Sequence, residues 1–123
     1  MPYSTILVVD PDENVRHTIV KILHQSGYIV ASAANACAAI DILLDRPFDL
    51  VCLDIILPDM AIDPLLSRIY ELDPRMPVLI ITAYPAISTI IDFDRCRKWR
   101  YLLKPVDPVL FLDNVRRALK QHL

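Results

Sequence analysis

Four polar residues stand at the ends of four apolar runs. Asp10 follows Ile6-Leu7-Val8-Val9, and Asp54 follows Leu50-Val51-Cys52-Leu53. Thr82 closes Val78-Leu79-Ile80-Ile81, and Lys104 follows Tyr101-Leu102-Leu103. Two carboxylates, a hydroxyl and an amine are what a phosphoryl group with a hard cation requires. Carboxylates hold Mg²⁺, an ammonium balances phosphate charge, and a hydroxyl donates to a phosphate oxygen. A carboxylate can also take up phosphate itself, as an acyl phosphate.

The chemistry needs these ends brought together. Short apolar runs read as strands buried on both faces, as in a parallel sheet, and open α/β sheets bind ligands at the carboxyl ends of their strands. Helical periodicity fills the gaps. Asp12 is a good N-cap for a helix carrying Val15, Ile19, Ile22 and Leu23, and Gly27, the only glycine, ends it near Ser26. Tyr28 to Ala33 is β-prone. Asn35 can cap a helix running to about Asp45 with Ala39, Ile42 and Leu43 inward, ended by Arg46-Pro47. Asp63-Pro64 looks like a cap followed by proline in the first turn, with Leu65, Leu66, Ile69 and Leu72 as its apolar face. A further helix is expected over Pro85 to Arg97. Asp107-Pro108 opens the last one, with Val109, Leu112, Val115 and Leu119 inward. Five strands alternating with five helices predict a three-layer α/β fold, a parallel sheet covered on both faces.

Composition bounds the rest. A chain of 123 residues that is 54% hydrophobic is one domain, residues 1–123, with a proper core. It reads as a stand-alone domain or as one module of a longer protein. No apolar run approaches the roughly 18 residues of a membrane span, and no secretory signal is visible at the start. A net charge of −2 argues against broad nucleic-acid binding. Cys37, Cys52 and Cys96 lack metal-ligand spacing and are expected to be reduced core thiols, which suits a cytoplasmic protein.

In order along the chain, the fragments Ile6-Leu7-Val8-Val9-Asp10 with Arg16, Leu53-Asp54 with Leu57-Pro58-Asp59-Met60, Ile81-Thr82-Ala83, and Tyr101-Leu102-Leu103-Lys104-Pro105 resemble a response-regulator receiver domain of two-component signalling. The resemblance covers essentially the whole chain. It implies a flavodoxin-like sheet in the order 2-1-3-4-5. It implies Asp54 as phosphoacceptor, with Asp10, Asp54 and the Ile56 carbonyl around Mg²⁺. Thr82 and Lys104 would contact the phosphate, Thr82 and Tyr101 would form the switch, and the Lys104-Pro105 bond would be cis. The implied partners are a sensor histidine kinase and an output domain or partner protein, or a second copy meeting through the fourth helix, fifth strand and fifth helix. Its chemistry would be self-phosphotransfer and slow autodephosphorylation, with no enzymatic turnover.

Two departures from the family pattern stand out. Pro11 replaces the second of two adjacent acids, so the metal site would hold more water and bind more weakly; Asp12 could reach in, unless its cap role commits it. Ala61-Ile62 stands where Asp-Gly is usual. Pro11 therefore keeps open a pseudo-receiver, a binding module independent of phosphate. Asp10-Pro11-Asp12 also resembles the first motif of haloacid-dehalogenase-type phosphatases, but no later strand ends in paired acids and no cap domain is present. Arg95, Arg97, Lys98 and Arg100 surround Trp99 as a solvated basic face or as a partner surface, with Arg and Trp as typical anchors. His17, His24 and His122 are expected on helix surfaces.

Overall fold

The computed structural model describes residues 3–83 and 99–122. The strands are β1 (Thr5–Val9), β2 (Ile29–Ala33), β3 (Leu50–Leu53), β4 (Val78–Thr82) and β5 (Trp99–Leu103). The helices among the described residues are α1 (Glu13–Gln25), α2 (Ala36–Asp45), α3 (Ile62–Leu72) and α4 (Pro108–His122). The expectation of five helices is thus met by four, because the helix expected over Pro85 to Arg97 lies outside the described residues. All strands pair in parallel in the order β2-β1-β3-β4-β5.

Alternation along each strand builds two cores. Leu7, Val9, Val51, Leu53, Val78 and Ile80 face α2 and α3, meeting Ala39, Ile40, Leu65, Leu66 and Ile69. Ile6, Val8, Leu50, Cys52, Leu79 and Ile81 face the other way, onto Ile19 and Leu23 of α1 and Phe111, Val115 and Ala118 of α4. Such two-sided burial is why the strands carry unbroken apolar runs rather than alternating ones.

The helix ends follow local chemistry, with two corrections. Asp12 caps α1, its carboxylate accepting from the Asn14 and Val15 N–H groups at 2.9 and 3.2 Å. Gly27 closes that helix with φ +90°, a conformation that side chains resist. Asn35 caps α2 through the Ala38 N–H. At α3 the cap position belongs to Ala61, which makes no side-chain bond; Asp63 lies one residue inside. Pro64 still fits, because first-turn N–H groups have no helical partner to lose. At α4, Asp107 does cap, accepting from the Val109 N–H at 3.1 Å. The buried stripe there is Phe111, Val115 and Ala118, flanked by Leu112 and Leu119, while Val109 points to solvent. Cys52 is buried as expected, but Cys37 is exposed; both are free thiols. Cys96 lies outside the described residues, His17 and His24 are exposed. Among the described residues no helix is long and apolar enough to cross a membrane.

Candidate functional site

Register makes the site. Val9 pairs with Leu53, so Asp10 and Asp54 leave adjacent strands at the same level. Thr82 pairs with Leu103, and the Lys104 N–H donates to the Thr82 carbonyl at 2.8 Å, so Lys104 follows one step beyond. All four sequence-predicted groups therefore converge on the carboxyl edge of the sheet. The strand-end backbone is held as well. The Asp54 N–H donates to the Val9 carbonyl at 2.9 Å, and the Asp10 N–H to the Ala33 carbonyl at 3.1 Å. Arg16 reaches back from α1 to donate to the Asp10 carbonyl at 2.8 Å.

The Lys104 ammonium lies across both acids, with Nζ 2.7 Å from Asp54 Oδ2 and 3.0 Å from Asp10 Oδ2. Burial acts to lower the lysine pKa. The hydrogen bond to Asp54 and the pull of Asp10 outweigh it and hold the ammonium above the ordinary lysine range. Asp54 Oδ1 accepts from the Ile56 N–H at 2.9 Å, and Asp10 Oδ1 from the Asp12 N–H at 2.9 Å. The approach to Asp10 Oδ2 lacks hydrogen-bond geometry, and that buried oxygen has no donor.

Asp10 and Asp54 are both buried while Lys104 supplies one positive charge. The cluster is short of positive charge, and buried charge is costly unless paired. A donorless carboxylate oxygen beside a second carboxylate is the environment a hard cation favours. The set is nevertheless thin. Among the described residues no group of three or more His, Cys, Asp or Glu side chains could hold a metal ion. Pro11 is exposed and offers no ligand atom, and Asp12 spends Oδ1 on the α1 cap. Asp10 and Asp54 are the two side-chain donors that fit a hard cation here.

The remaining expected residues fall as follows. Thr82 is fully buried at the end of β4. The Ile56 side chain is about half exposed, next to Asp54. Tyr101 is turned outward on β5, 46% exposed. The Lys104-Pro105 bond is cis. Trp99 and Arg100 open β5. Arg95 and Lys98 lie outside the described residues. Sequence reasoning missed Asp59, which accepts from the Ala36 and Cys37 N–H groups at 2.9 Å each. No local periodicity could have revealed that contact, because it spans 23 residues.

Known proteins carry the same frame. The sequence pattern of the family described as "Response regulator receiver domain" matches residues 6–116. The chain is 34% identical over 100 residues to the response regulator receiver protein CpdR of Brucella abortus, covering 81% of this chain and 83% of that one. It is 35% identical to the transcriptional regulatory protein ZraR of Escherichia coli O157:H7, covering 96% of this chain but only 26% of that protein. The crystal structure of a CheY-like response regulator receiver domain protein from Methanospirillum hungatei superposes with a TM-score of 0.89 at 29% identity, covering 98% of this chain and 97% of that one. A buried acid pair bridged by a lysine, on a parallel sheet of this order, and a match that runs through both acids and the lysine point the same way: the chain belongs to the response-regulator receiver domain family, the receiving half of two-component signalling.

Proposed function

We propose that Asp54 is the phosphoacceptor and that its phosphorylation by a sensor histidine kinase switches a partner surface. The observation that carries the reading is the three-way contact of Lys104 with Asp54 and Asp10 at the sheet edge. An Asp54 carboxylate oxygen attacks phosphorus, the phosphorus–nitrogen bond to the donor imidazole breaks, and the imidazole leaves with that electron pair. Lys104 already touches the accepting carboxylate, so its ammonium is placed to follow the charge onto the phosphoryl oxygens. Thr82, at the neighbouring strand end, supplies a hydroxyl to one of those oxygens. Asp10, Asp54 and the Ile56 carbonyl would hold Mg²⁺, which when bound offsets the charge of the incoming phosphoryl group. Pro11 weakens that site. Chemistry beyond this self-transfer and slow loss of the phosphate is not part of the reading.

The surface to be switched lies on β5 and α4. Tyr101, Leu103, Val109 and Leu110 are exposed apolar residues there, and Tyr101, Leu103 and Leu110 line a depression of about 510 Å³. Exposed apolar patches of this kind mark interaction sites. The occupant is an output domain, a separate protein or a second copy. The relative ZraR is about four times as long as the matched stretch, which leaves room for an output domain on the same chain. A cytoplasmic location follows from the kinase partner and the free thiols.

The test is phosphotransfer from an autophosphorylated histidine kinase. Label is expected on the wild type and absent from Asp54→Asn; label retained by Asp54→Asn would refute the assignment. A second reading rests on Pro11 and on the ammonium that already bridges both acids: a phosphate-independent binding module. A beryllofluoride phosphate mimic with millimolar Mg²⁺ separates the two. Altered Tyr101 or Trp99 fluorescence supports the switch, and an unchanged spectrum supports the binding module.

A further inference from the structure

The loop between β3 and α3 carries the proposed chemistry, since Asp54 begins it and Ile56 follows. Several apolar side chains anchor it: Ile55 and Ile62 are buried, and Leu57 and Met60 are partly buried against the same core. Ile56 between them is about half exposed, and its N–H reaches Asp54 Oδ1. Apolar contacts set the depth of a loop but little of its direction, because they are not directional. The directional contact is at Asp59. Its two carboxylate oxygens each take one N–H of the first turn of α2, Ala36 on Oδ1 and Cys37 on Oδ2, both at 2.9 Å. Asn35 takes the next, Ala38. Asp59 thus joins an anion to the positive end of a ten-residue helix, from a different segment of the chain.

We infer that Asp59 is a positioning residue for the phosphorylation site: it fastens the Asp54–Ala61 loop to α2 and so fixes the direction in which Ile56 and Asp54 are presented. This rests on the proposed function for its consequence, but not for its geometry. The grip is two-pronged, so it resists rotation as well as separation. No glycine relaxes this loop, and Pro58 restricts it just before Asp59. Once the grip is released, the half-exposed Ile56 stretch is the part least held by packing. The arrangement also connects the site to α2, because movement of the loop must either carry α2 with it or break both hydrogen bonds. Cys37 reads out the grip directly. The Asp59 carboxylate accepts from its thiol region and holds its pKa above the ordinary thiol value, first by hydrogen bonding and then by charge.

The test is backbone amide exchange by NMR on the full 123-residue chain, for wild type, Asp59→Ala and Asp59→Asn. Asparagine keeps one acceptor and loses the second, so it serves if the alanine variant folds poorly. The expected result is faster exchange at Ile56, by about tenfold or more, together with Ala36 and Cys37. Faster alkylation on the Cys37 peptide confirms that the grip is gone. If Ala36, Cys37 and thiol alkylation respond while Ile56 exchanges as in the wild type, packing alone holds the loop and the inference is overturned. Labelling of the same variants by acetyl phosphate supplies the functional arm. An Mg²⁺ requirement raised several-fold, with the rate at saturating Mg²⁺ much less affected, supports positioning; an unchanged requirement beside altered Ile56 exchange overturns the link to the site. If wild type takes no label at all, the proposed function falls, while Ile56 exchange still decides the positioning.

Discussion

At the scale of single residues the chemistry depends on Lys104. Its side chain is 19% exposed, and its ammonium touches both buried acids. Lys104→Met leaves two carboxylates facing each other without a counter-charge. Removing one partner of a fully buried pair costs about 3–5 kcal/mol; partial exposure here brings the expected loss to roughly 1–3 kcal/mol at neutral pH. Urea unfolding should show that loss as a lower midpoint, and labelling at Asp54 should fall sharply. Asp59 gives a pH signature. The Cys37 N–H first, and the Ala36 N–H second, hold its carboxyl below the usual carboxylate range. A lowered folded-state pKa contributes stability that is present above the unfolded value of about 4 and lost as pH falls through the folded value. The wild type should therefore be more stable than Asp59→Asn at neutral pH, and the urea midpoints should converge in acid. The four strand-end residues were legible because each closes an apolar run. Asp59 was not, since its partners lie on another helix and only the folded loop brings them within reach.

Elements explain which parts of the fold could be read and which could not. β4 matched its expected bounds because Val78 to Thr82 is apolar, β-branched and flanked by proline before it. β5 begins at Trp99, two residues earlier than the apolar run, because pairing with β4 recruits polar residues that pattern alone leaves out. In the last helix Val115 is buried and Leu112 and Leu119 pack against the core as expected, but Val109 is exposed and Phe111 and Ala118 complete the stripe. Residues two apart lie on nearly opposite sides of a helix, so with Phe111 packed in the core with Leu79 and Ile81, Val109 faces solvent. Phe111→Ala should then cost about 3–5 kcal/mol in denaturant unfolding, whereas Val109→Ala should be near neutral. Gly27 was legible from position alone. A Cβ there would meet nothing within 4 Å, so the cost of Gly27→Ala is conformational. About 1–2 kcal/mol is expected, read as a lower urea midpoint with an unchanged slope.

For the whole molecule, the parallel sheet explains why residues 10, 54, 82 and 104 form one site although they are scattered through the sequence. Each strand leaves the core at the same edge; register sets Asp10 level with Asp54, and Thr82 and then Lys104 each about one step further along. Strand order and edge were therefore legible once the resemblance was seen; the exact bridging of Lys104 across two acids was not, because side-chain reach depends on the path after Leu103. The same arrangement sets the question Pro11 raises. Two acids remain for a cation, and the buried Asp10 oxygen without a donor is where one would be welcome. The most direct measurement is intact mass after incubation with acetyl phosphate, across an Mg²⁺ titration, for wild type and Asp54→Asn. The account predicts one added phosphoryl group on the wild type, dependent on Mg²⁺ and shifted to high concentration, and none on Asp54→Asn. A wild type that stays unlabelled at saturating Mg²⁺, or a variant labelled as well as the wild type, would contradict it.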